Sequence, residues 1–198
     1  MRVAVGVSGK GSNLKALVRD LPPGSPAEVA LVISNRGDSG AIGFATDVGI
    51  PTAVLANHAD AGEWLTVLRA SAIEFLVLAG YLKKIPADVI RAYPGRIINI
   101  HPALLPRHGG PGMYGLNVHR AVLAAGDQES GATVHLVTEQ YDDGPILGQA
   151  RVPVLPGDTP EALASRVLAA EHRLLPAAVR AAAGSSRAVP FTLSSEAP

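Results

Sequence analysis

Four consecutive apolar residues, Phe75-Leu76-Val77-Leu78, constrain the fold of this chain more than any other segment. A strand with one solvated face alternates apolar and polar side chains, whereas a strand that is apolar at every position is covered on both faces. Other short β-branched runs, separated by segments of helical length, lie before and after it in the first half of the chain. They are Val3 to Val7, Val29 to Ile33, Thr52 to Leu55 and Ile97 to Ile100. The alternation predicts an α/β fold with a mainly parallel sheet and helices on both faces.

The pattern changes after Gly126. Two further strand candidates, Ala132 to Val137 and Ile146 to Val152, are joined by the turn-rich segment Glu139 to Pro145. A parallel crossover needs a dozen or more residues, so this short connection predicts an antiparallel strand pair at the C-terminal end of a Rossmann-like sheet.

The last predicted helix begins at Thr159-Pro160-Glu161, where Thr is a favourable cap and Pro a favourable first residue. It runs to about Ala183, and the following residues are small and polar. The sequence is therefore interpreted as one domain over residues 1–183, with a flexible tail over residues 184–198.

Charge and residue types narrow the function. Seventeen basic residues balance seventeen acidic ones, so no net field attracts nucleic acid or an anionic membrane, and a small-molecule ligand is favoured. The absence of cysteine excludes disulfides, thiolate metal sites and a cysteine nucleophile. Met1 to Val5 is typical of a strand and not of a signal peptide or membrane span, and we expect a cytoplasmic protein.

A glycine-rich loop, Ser8-Gly9-Lys10-Gly11-Ser12-Asn13, follows the first strand and precedes a helix beginning near Leu14. Free backbone N–H groups at such a junction bind phosphates in many parallel sheets. The Walker pattern is excluded because Gly11 follows Lys10, and the dinucleotide fingerprint because Leu14 stands where a third glycine is needed. Two interpretations remain open, an anion cradle and a tight strand-to-helix turn.

The strand Ile97 to Ile100 ends in the sequence Asn99-Ile100-His101-Pro102. Side chains two apart on a strand project to the same side, so Asn99 and His101 should converge. An amide and an imidazole at a strand end suit a developing oxyanion, since the amide donates a hydrogen bond and the imidazole can also transfer a proton. The alternative is a histidine satisfied by a buried partner.

Asp142-Asp143-Gly144-Pro145 places two carboxylates in a turn, and ordinary turn chemistry alone would explain them. A carboxylate near His101 would raise the imidazole pKa, as an acid catalyst near neutral pH requires. His135 is a third polar residue on the neighbouring strand, whereas His58, His119 and His172 are interpreted as solvent-facing or structural. No histidine pair has ligand-like helical spacing, and we predict no metal site.

Four segments resemble the phosphoribosylglycinamide formyltransferase family of purine synthesis, in the same order and at matching spacing. The resemblance extends from Val3 to about Ala178. The segments are Ser8-Gly9-Lys10-Gly11-Ser12-Asn13-Leu14, Leu78-Ala79-Gly80-Tyr81, Asn99-Ile100-His101-Pro102-Ala103-Leu104-Leu105-Pro106, and Gly131-Ala132-Thr133-Val134-His135 leading into Asp142-Asp143-Gly144-Pro145.

The resemblance implies the formyltransferase fold, with a phosphate-binding half over about 1–100 and a folate-binding half over about 101–183. It implies transfer of a formyl group from 10-formyltetrahydrofolate to the amine of glycinamide ribonucleotide, by a monomer or homodimer without metal. Asn99 and His101 would hold the tetrahedral oxyanion, and Asp142 would keep His101 charged. The implied substrate contacts are Gly11, Ser12, Asn13 and Glu171. The implied folate contacts are Leu82, Lys83, Lys84, Ile85, Thr138, Glu139, Gln140 and Tyr141, together with Asn99 and Asp142.

Some positions depart from the family pattern. No arginine lies in Asn57 to Glu63, where the family often has a folate contact, although Lys83 and Lys84 carry suitable charge. Leu168 stands where a polar substrate contact can occur. The segment Arg107 to Asn117, which includes Gly109 to Gly115, is longer than in the shortest relatives and is interpreted as a loop variant over the active site.

Three other functions are weighed against formyl transfer. A formyltetrahydrofolate hydrolase would share the three reacting residues. A methionyl-tRNA or sugar-nucleotide formyltransferase would share the Asn-x-His-Pro motif, but should bring a further C-terminal domain. The third is a non-catalytic Rossmann-like binding protein.

Overall fold

The structure is a computed structural model that describes residues 1–193, and within them the alternation of strand and helix builds a seven-stranded sheet. The strands are β1 (Arg2–Val7), β2 (Glu28–Ser34), β3 (Thr52–Val54), β4 (Phe75–Leu78), β5 (Ile97–His101), β6 (Glu129–Leu136) and β7 (Ile146–Pro153). Their order across the sheet is β3-β2-β1-β4-β5-β6-β7. Strands β1 to β5 pair in parallel, and β6 and β7 pair antiparallel.

Six helices within residues 1–193 cover the two faces of this sheet. They are α1 (Ser12–Asp20), α2 (Gly40–Asp47), α3 (Ala61–Ala70), α4 (Ala87–Ala92), α5 (Leu116–Ala124) and α6 (Pro160–Ala182). One hydrophobic cluster joins α1, α2, α5 and α6 to the sheet, and a second joins α3 and α4 to its other face. All four residues of β4 are buried between these layers, as the unbroken apolar run predicts.

Side-chain caps fix where several helices begin. The Ser39 side chain accepts from the N–H of Ile42 at the start of α2. The Thr159 side chain likewise accepts from Ala162, immediately before Pro160 opens α6. Such caps satisfy N–H groups that have no partner inside the helix. The cap predicted at Thr159 is therefore confirmed.

The position of β1 determines where a ligand can bind. Strand β1 lies between β2 and β4, so the chain first builds the sheet outward in one direction and later in the other. Connections diverge at such a switch point, and a crevice opens beyond the carboxyl ends of the strands. The glycine loop follows β1 at this edge, and the Asn99-x-His101 segment ends β5 there.

The predicted fold class is confirmed, including the antiparallel pair at the C-terminal end. The strands differ from their predicted bounds by a few residues, most at β6, which begins at Glu129. None of the helices formed by residues 1–193 has the length and apolar character needed to cross a membrane.

The segment after α6 runs against the domain. The N–H of Ala188 donates to the carbonyl of Gly95, and the N–H of Phe191 donates to that of Leu147 in β7, at 2.8 and 2.9 Å. The Phe191 ring lies directly over Gly148, where an added Cβ would be 2.6 Å from it. Residues 194–198 of the predicted tail lie outside the described residues, and the flexibility of the tail stays a prediction.

Candidate active site

A cavity of about 330 Å³ opens at the carboxyl ends of β4 and β5. Its walls come from both halves of the chain, so it depends on the complete fold. The lining consists of side chains from α1 and α6, the strand ends, and three loops: Asn13, Glu171, Leu78, residues 80–85, 99–102, 110–115, His135 and 137–142. This is the edge at which α/β sheets bind ligands.

Four side chains meet at one end of the cavity, and we call Asn99, His101, His135 and Asp142 the polar corner. The Nδ2 atom of Asn99 lies 3.0 Å from His135 Nε2 and 3.5 Å from Asp142 Oδ1. The other carboxylate oxygen, Asp142 Oδ2, lies 3.5 Å from His101 Nδ1. The expected convergence of Asn99, His101 and Asp142 is therefore present in the structure.

Strand geometry explains how three members of the polar corner come together. Asn99 and His101 are two residues apart on β5 and project to one side. His135 stands directly opposite Asn99 in the antiparallel ladder between β5 and β6. Side chains of directly opposed residues are close neighbours on a sheet.

Asp142 reaches the polar corner from the turn between β6 and β7. Its backbone has φ of 53°, in the left-handed region that Asp tolerates better than most residues. Gly144 holds the turn against the end of β6, since an added Cβ there would lie 1.7 Å from the carbonyl oxygen of Leu136. The turn chemistry expected of this segment thus also positions a carboxylate in the cavity.

A loop segment, residues 108–110, closes over the polar corner from the other side. The carbonyl oxygen of His108 lies 2.8 Å from His101 Nε2. The N–H of Gly110 donates to Asp142 Oδ2 at 2.9 Å. Gly109 packs closely here, since an added Cβ would lie 2.5 Å from the end of the Leu105 side chain, which would have to move.

Burial dominates the electrostatics of His101, which is 3 % exposed. Burial lowers the pKa of its imidazole, and although the Asp142 carboxylate and the His108 carbonyl act in the opposite direction, the net shift is downward. Asp142 thus acts on the ring in the expected direction, but desolvation outweighs it in the free protein, and the role of Asp142 in keeping His101 charged stays a prediction. Burial raises the pKa of Asp142, but His135, His101 and the Gly110 N–H together hold it below its usual value.

A second polar group, the Asn13–Glu171 pair, lines the same cavity. Asn13 follows the glycine loop and Glu171 lies on α6, and Asn13 Nδ2 donates to Glu171 Oε2 at 2.5 Å. Both residues are 7 % exposed. Burial raises the pKa of Glu171 to about 6, although Asn13 opposes the shift. Two residues assigned to the substrate are thus adjacent despite their separation of 158 positions.

Gly11 and Ser12 are placed differently. Gly11 has φ of 74°, and an added Cβ would lie 2.7 Å from Cβ of Ala41 in α2. This residue therefore permits a tight turn and close packing between the starts of α1 and α2. Ser12 is the first residue of α1, and neither it nor Gly11 is part of the cavity lining. Their assignment to the substrate stays a prediction.

The two segments assigned to folate form opposing parts of the cavity wall. Residues 82–85 and 138–142 all contribute to its lining. Leu82 and Tyr141 are about half exposed, and Lys84 Nζ lies 5.9 Å from the centre of the Tyr141 ring. The side chain of Glu139 faces outward to a salt bridge with Arg91, at 3.0 Å.

Sequence reasoning missed some of the residues at this site. The sequence alone gives His135 no role, because its place in the polar corner comes from the register that sets it opposite Asn99. His119 was interpreted as solvent-facing or structural; it is 4 % exposed, so a solvent position is wrong. Within residues 1–193, no cluster of three or more histidine or acidic side chains is arranged to hold a metal ion.

Comparison with known proteins shows the family of this chain. Residues 1–179 match the family model described as formyl transferase. A chloroplastic phosphoribosylglycinamide formyltransferase of Arabidopsis thaliana is 45% identical over 87% of this chain, which spans 62% of that relative's length. A phosphoribosylglycinamide formyltransferase of Haemophilus influenzae is 35% identical over 90% of this chain and 85% of its own.

Solved structures show the same similarity. The crystal structure of a phosphoribosylglycinamide formyltransferase from Anaplasma phagocytophilum superposes with a TM-score of 0.85 at 40% identity. The match covers 92% of this chain and 86% of that one. The fold of this chain therefore belongs to an architecture already seen in crystals.

Proposed function

Because this chain belongs to the formyl transferase family, we propose that it transfers the formyl group of 10-formyltetrahydrofolate to the amine of glycinamide ribonucleotide. The observation that carries the proposal is the meeting of Asn99, His101 and Asp142 in a cavity that also holds the Asn13–Glu171 pair. One end supplies groups for acyl transfer, and the other supplies polar groups for a hydroxylated substrate.

The reaction begins when the amine nitrogen of the ribonucleotide attacks the formyl carbon. A carbon–nitrogen bond forms, and the carbonyl electron pair moves to the oxygen. Asn99 Nδ2 donates to this oxyanion. Its 3.5 Å contact with Asp142 Oδ1 is at the limit of a hydrogen bond, so that N–H can turn to the substrate at little cost.

Proton transfer falls to His101. Its lowered pKa favours the neutral ring at neutral pH, so the ring first accepts the proton that the attacking amine loses. The Asp142 carboxylate, 3.5 Å away, stabilises the charged ring that results. The ring then returns the proton to the folate nitrogen as the bond from that nitrogen to the formyl carbon breaks. The products are formylated ribonucleotide and tetrahydrofolate.

The site suggests how each substrate lies. We assign the ribonucleotide to the end formed by Asn13, Glu171 and the glycine loop. Folate lies between residues 82–85 and 138–142, where exposed apolar side chains and backbone groups line the wall. Lys83 and Lys84 supply positive charge at the rim for the anionic folate tail.

An assay of the purified protein tests this proposal against hydrolysis and against simple binding. The protein is incubated with 10-formyltetrahydrofolate, with and without glycinamide ribonucleotide, and tetrahydrofolate is measured. Product that forms only with the ribonucleotide supports transfer. Product that forms equally without it would support a hydrolase, and no product in either case would refute catalysis.

A further inference from the structure

One stretch of backbone contacts two of the three proposed reacting residues. The carbonyl of His108 meets His101 Nε2 at 2.8 Å, and the N–H of Gly110 meets Asp142 Oδ2 at 2.9 Å. Any displacement of residues 108–110 would therefore disturb a hydrogen bond of the imidazole and one of the carboxylate.

The contact with His108 determines which nitrogen of His101 carries a proton. A carbonyl oxygen can only accept a hydrogen bond, so Nε2 of His101 must be the donor. A neutral imidazole has one N–H, and Nδ1 is consequently left with its lone pair. Nδ1 is the nitrogen that lies 3.5 Å from Asp142 Oδ2. It is therefore the atom available to accept a proton from a substrate.

The backbone at His108 does not hold this position by its own preference. Its φ is 55°, in the left-handed region that is uncommon for residues other than glycine, although His, like Asp, tolerates it better than most, so the surroundings must favour it. The next two residues, Gly109 and Gly110, have no side chains to anchor the segment. Besides the Gly110 N–H bond to Asp142, the segment is held through the His108 side chain.

That side chain is bound to a carboxylate outside the cavity. His108 Nε2 lies 2.7 Å from Asp127 Oδ2, and the Asp127 side chain is only 8 % exposed. The second oxygen of Asp127 forms a salt bridge with Arg107. Asp127 belongs to neither the polar corner nor the cavity lining, so its burial beside His108 is not explained by substrate contact.

We propose that Asp127 and His108 are positioning residues for the transfer reaction, because their pair holds the His108 carbonyl against His101 and so fixes Nδ1 as the proton-exchanging atom. The inference rests on the proposed function for its catalytic consequence. Its structural consequence, the tautomer of His101, can be measured without turnover.

The decisive experiment compares Asp127→Ala with Asp158→Ala. Asp158 is a matched control, since its carboxylate is similarly buried and paired with an arginine, Arg166, but lies at the start of α6 outside the cavity lining. Nitrogen NMR of labelled histidine at about pH 8, above the usual imidazole pKa, reports which ring nitrogen of His101 is protonated. The His101 signals are assigned from their loss in His101→Asn.

We expect the wild type and Asp158→Ala to show protonated Nε2 and unprotonated Nδ1. Asp127→Ala should show a mixture of tautomers, with kcat lowered roughly tenfold to a hundredfold and KM for both substrates within about threefold. A second variant, His108→Gly, removes the side chain while relieving the backbone strain. It should reproduce the effect of Asp127→Ala, and it decides the question if that variant does not fold.

An unchanged tautomer in the deciding variant would overturn the inference, whatever happens to turnover. A shifted tautomer with wild-type kcat would also overturn it, since positioning would then have no catalytic consequence. If the wild type transfers no formyl group, the proposed function fails, and the NMR result still decides whether Asp127 and His108 set the tautomer.

Discussion

The polar corner and the Asn13–Glu171 pair line one cavity but differ in how their polar groups are satisfied. In the polar corner, Asp142 receives the Gly110 N–H and lies close to His101, His135 and Asn99. In the pair, Glu171 has the single partner Asn13, and Asn13 Oδ1 has no hydrogen-bond partner among the described residues. The first group is held from several elements at once, and the second is incomplete within the protein.

This difference separates two tasks. Polar groups that protein partners already hold in place can stabilise a transition state without reorganising, as catalysis of the transfer step requires. Buried polar groups that lack hydrogen-bond partners cost free energy until a ligand supplies those partners. A site of this kind favours ligands that can make the missing hydrogen bonds, and so it binds selectively. We therefore expect changes in the polar corner to reduce kcat, and changes in the pair to raise KM for the ribonucleotide and to alter stability.

The largest effect should follow removal of a reacting side chain. His101→Ala and Asp142→Ala should each fold and lose roughly a hundredfold to ten-thousandfold in kcat, because the first removes the proton carrier and the second removes the carboxylate that stabilises its charged form. Steady-state kinetics and thermal unfolding measure both parts of the prediction. Near wild-type turnover in either variant would break the assignment of chemistry to the polar corner.

A smaller effect, on binding, is expected from Glu171→Gln. The amide keeps the shape of the carboxyl group but loses its charge, and hydrogen bonds to charged groups contribute about 1.5 to 3 kcal/mol. KM for the ribonucleotide should rise about tenfold to a hundredfold, with kcat within about threefold. Glu161→Gln, an exposed change on the same helix, is the control. A loss confined to kcat would contradict the assignment of binding to the Asn13–Glu171 pair and of chemistry to the polar corner.

The same variant should change how stability depends on pH. The pKa of Glu171 is raised from 4.5 to about 6 in the folded protein, so stability falls as pH rises from 4.5 to about 6, where the unfolded chain ionises this carboxyl and the folded protein still holds its proton. The loss is about 2 kcal/mol, fully present well above pH 6 and absent below pH 4.5. Glu171→Gln should therefore be more stable than the wild type at about pH 8 and should lose that advantage in acid. Denaturant unfolding at both pH values tests this, and equal curves would show that Glu171 is not desolvated.

The smallest effect should come from Lys84, at the rim of the cavity. Lys84 lies 5.9 Å from the Tyr141 ring, and an exposed cation–π contact contributes about 0.5 to 1 kcal/mol. Lys84→Ala should raise KM for the folate substrate less than about tenfold and leave kcat unchanged. Lys15→Ala, which removes a similar contact with Phe44 away from the cavity, should change neither constant.

Much of the fold could be predicted from sequence because its signals are local. The apolar run Phe75 to Leu78 is buried as expected, and the period of a strand correctly placed Asn99 beside His101. The resemblance to a known family added Asp142 and Glu171, which the residues alone did not bring to the cavity. The structure places both side chains in its wall.

What sequence could not predict depends on contacts between distant segments. His135 enters the polar corner only through its register opposite Asn99, and a shift of one residue would turn it to the other face. The direction of the His101 pKa depends on burial by the assembled fold, which no local pattern reveals. The link from Asp127 to His108 spans 19 positions and joins two irregular segments, where periodicity gives no guidance.

The Phe191 contact has a consequence for handling this protein. Strand β7 is an edge of the sheet, and exposed edges are templates for pairing with other chains. Phe191 occupies part of that edge through its bond to Leu147 and its ring over Gly148. Truncating the chain before Ala188 would thus expose the unpaired edge of β7, and we expect such a truncated protein to aggregate at high concentration.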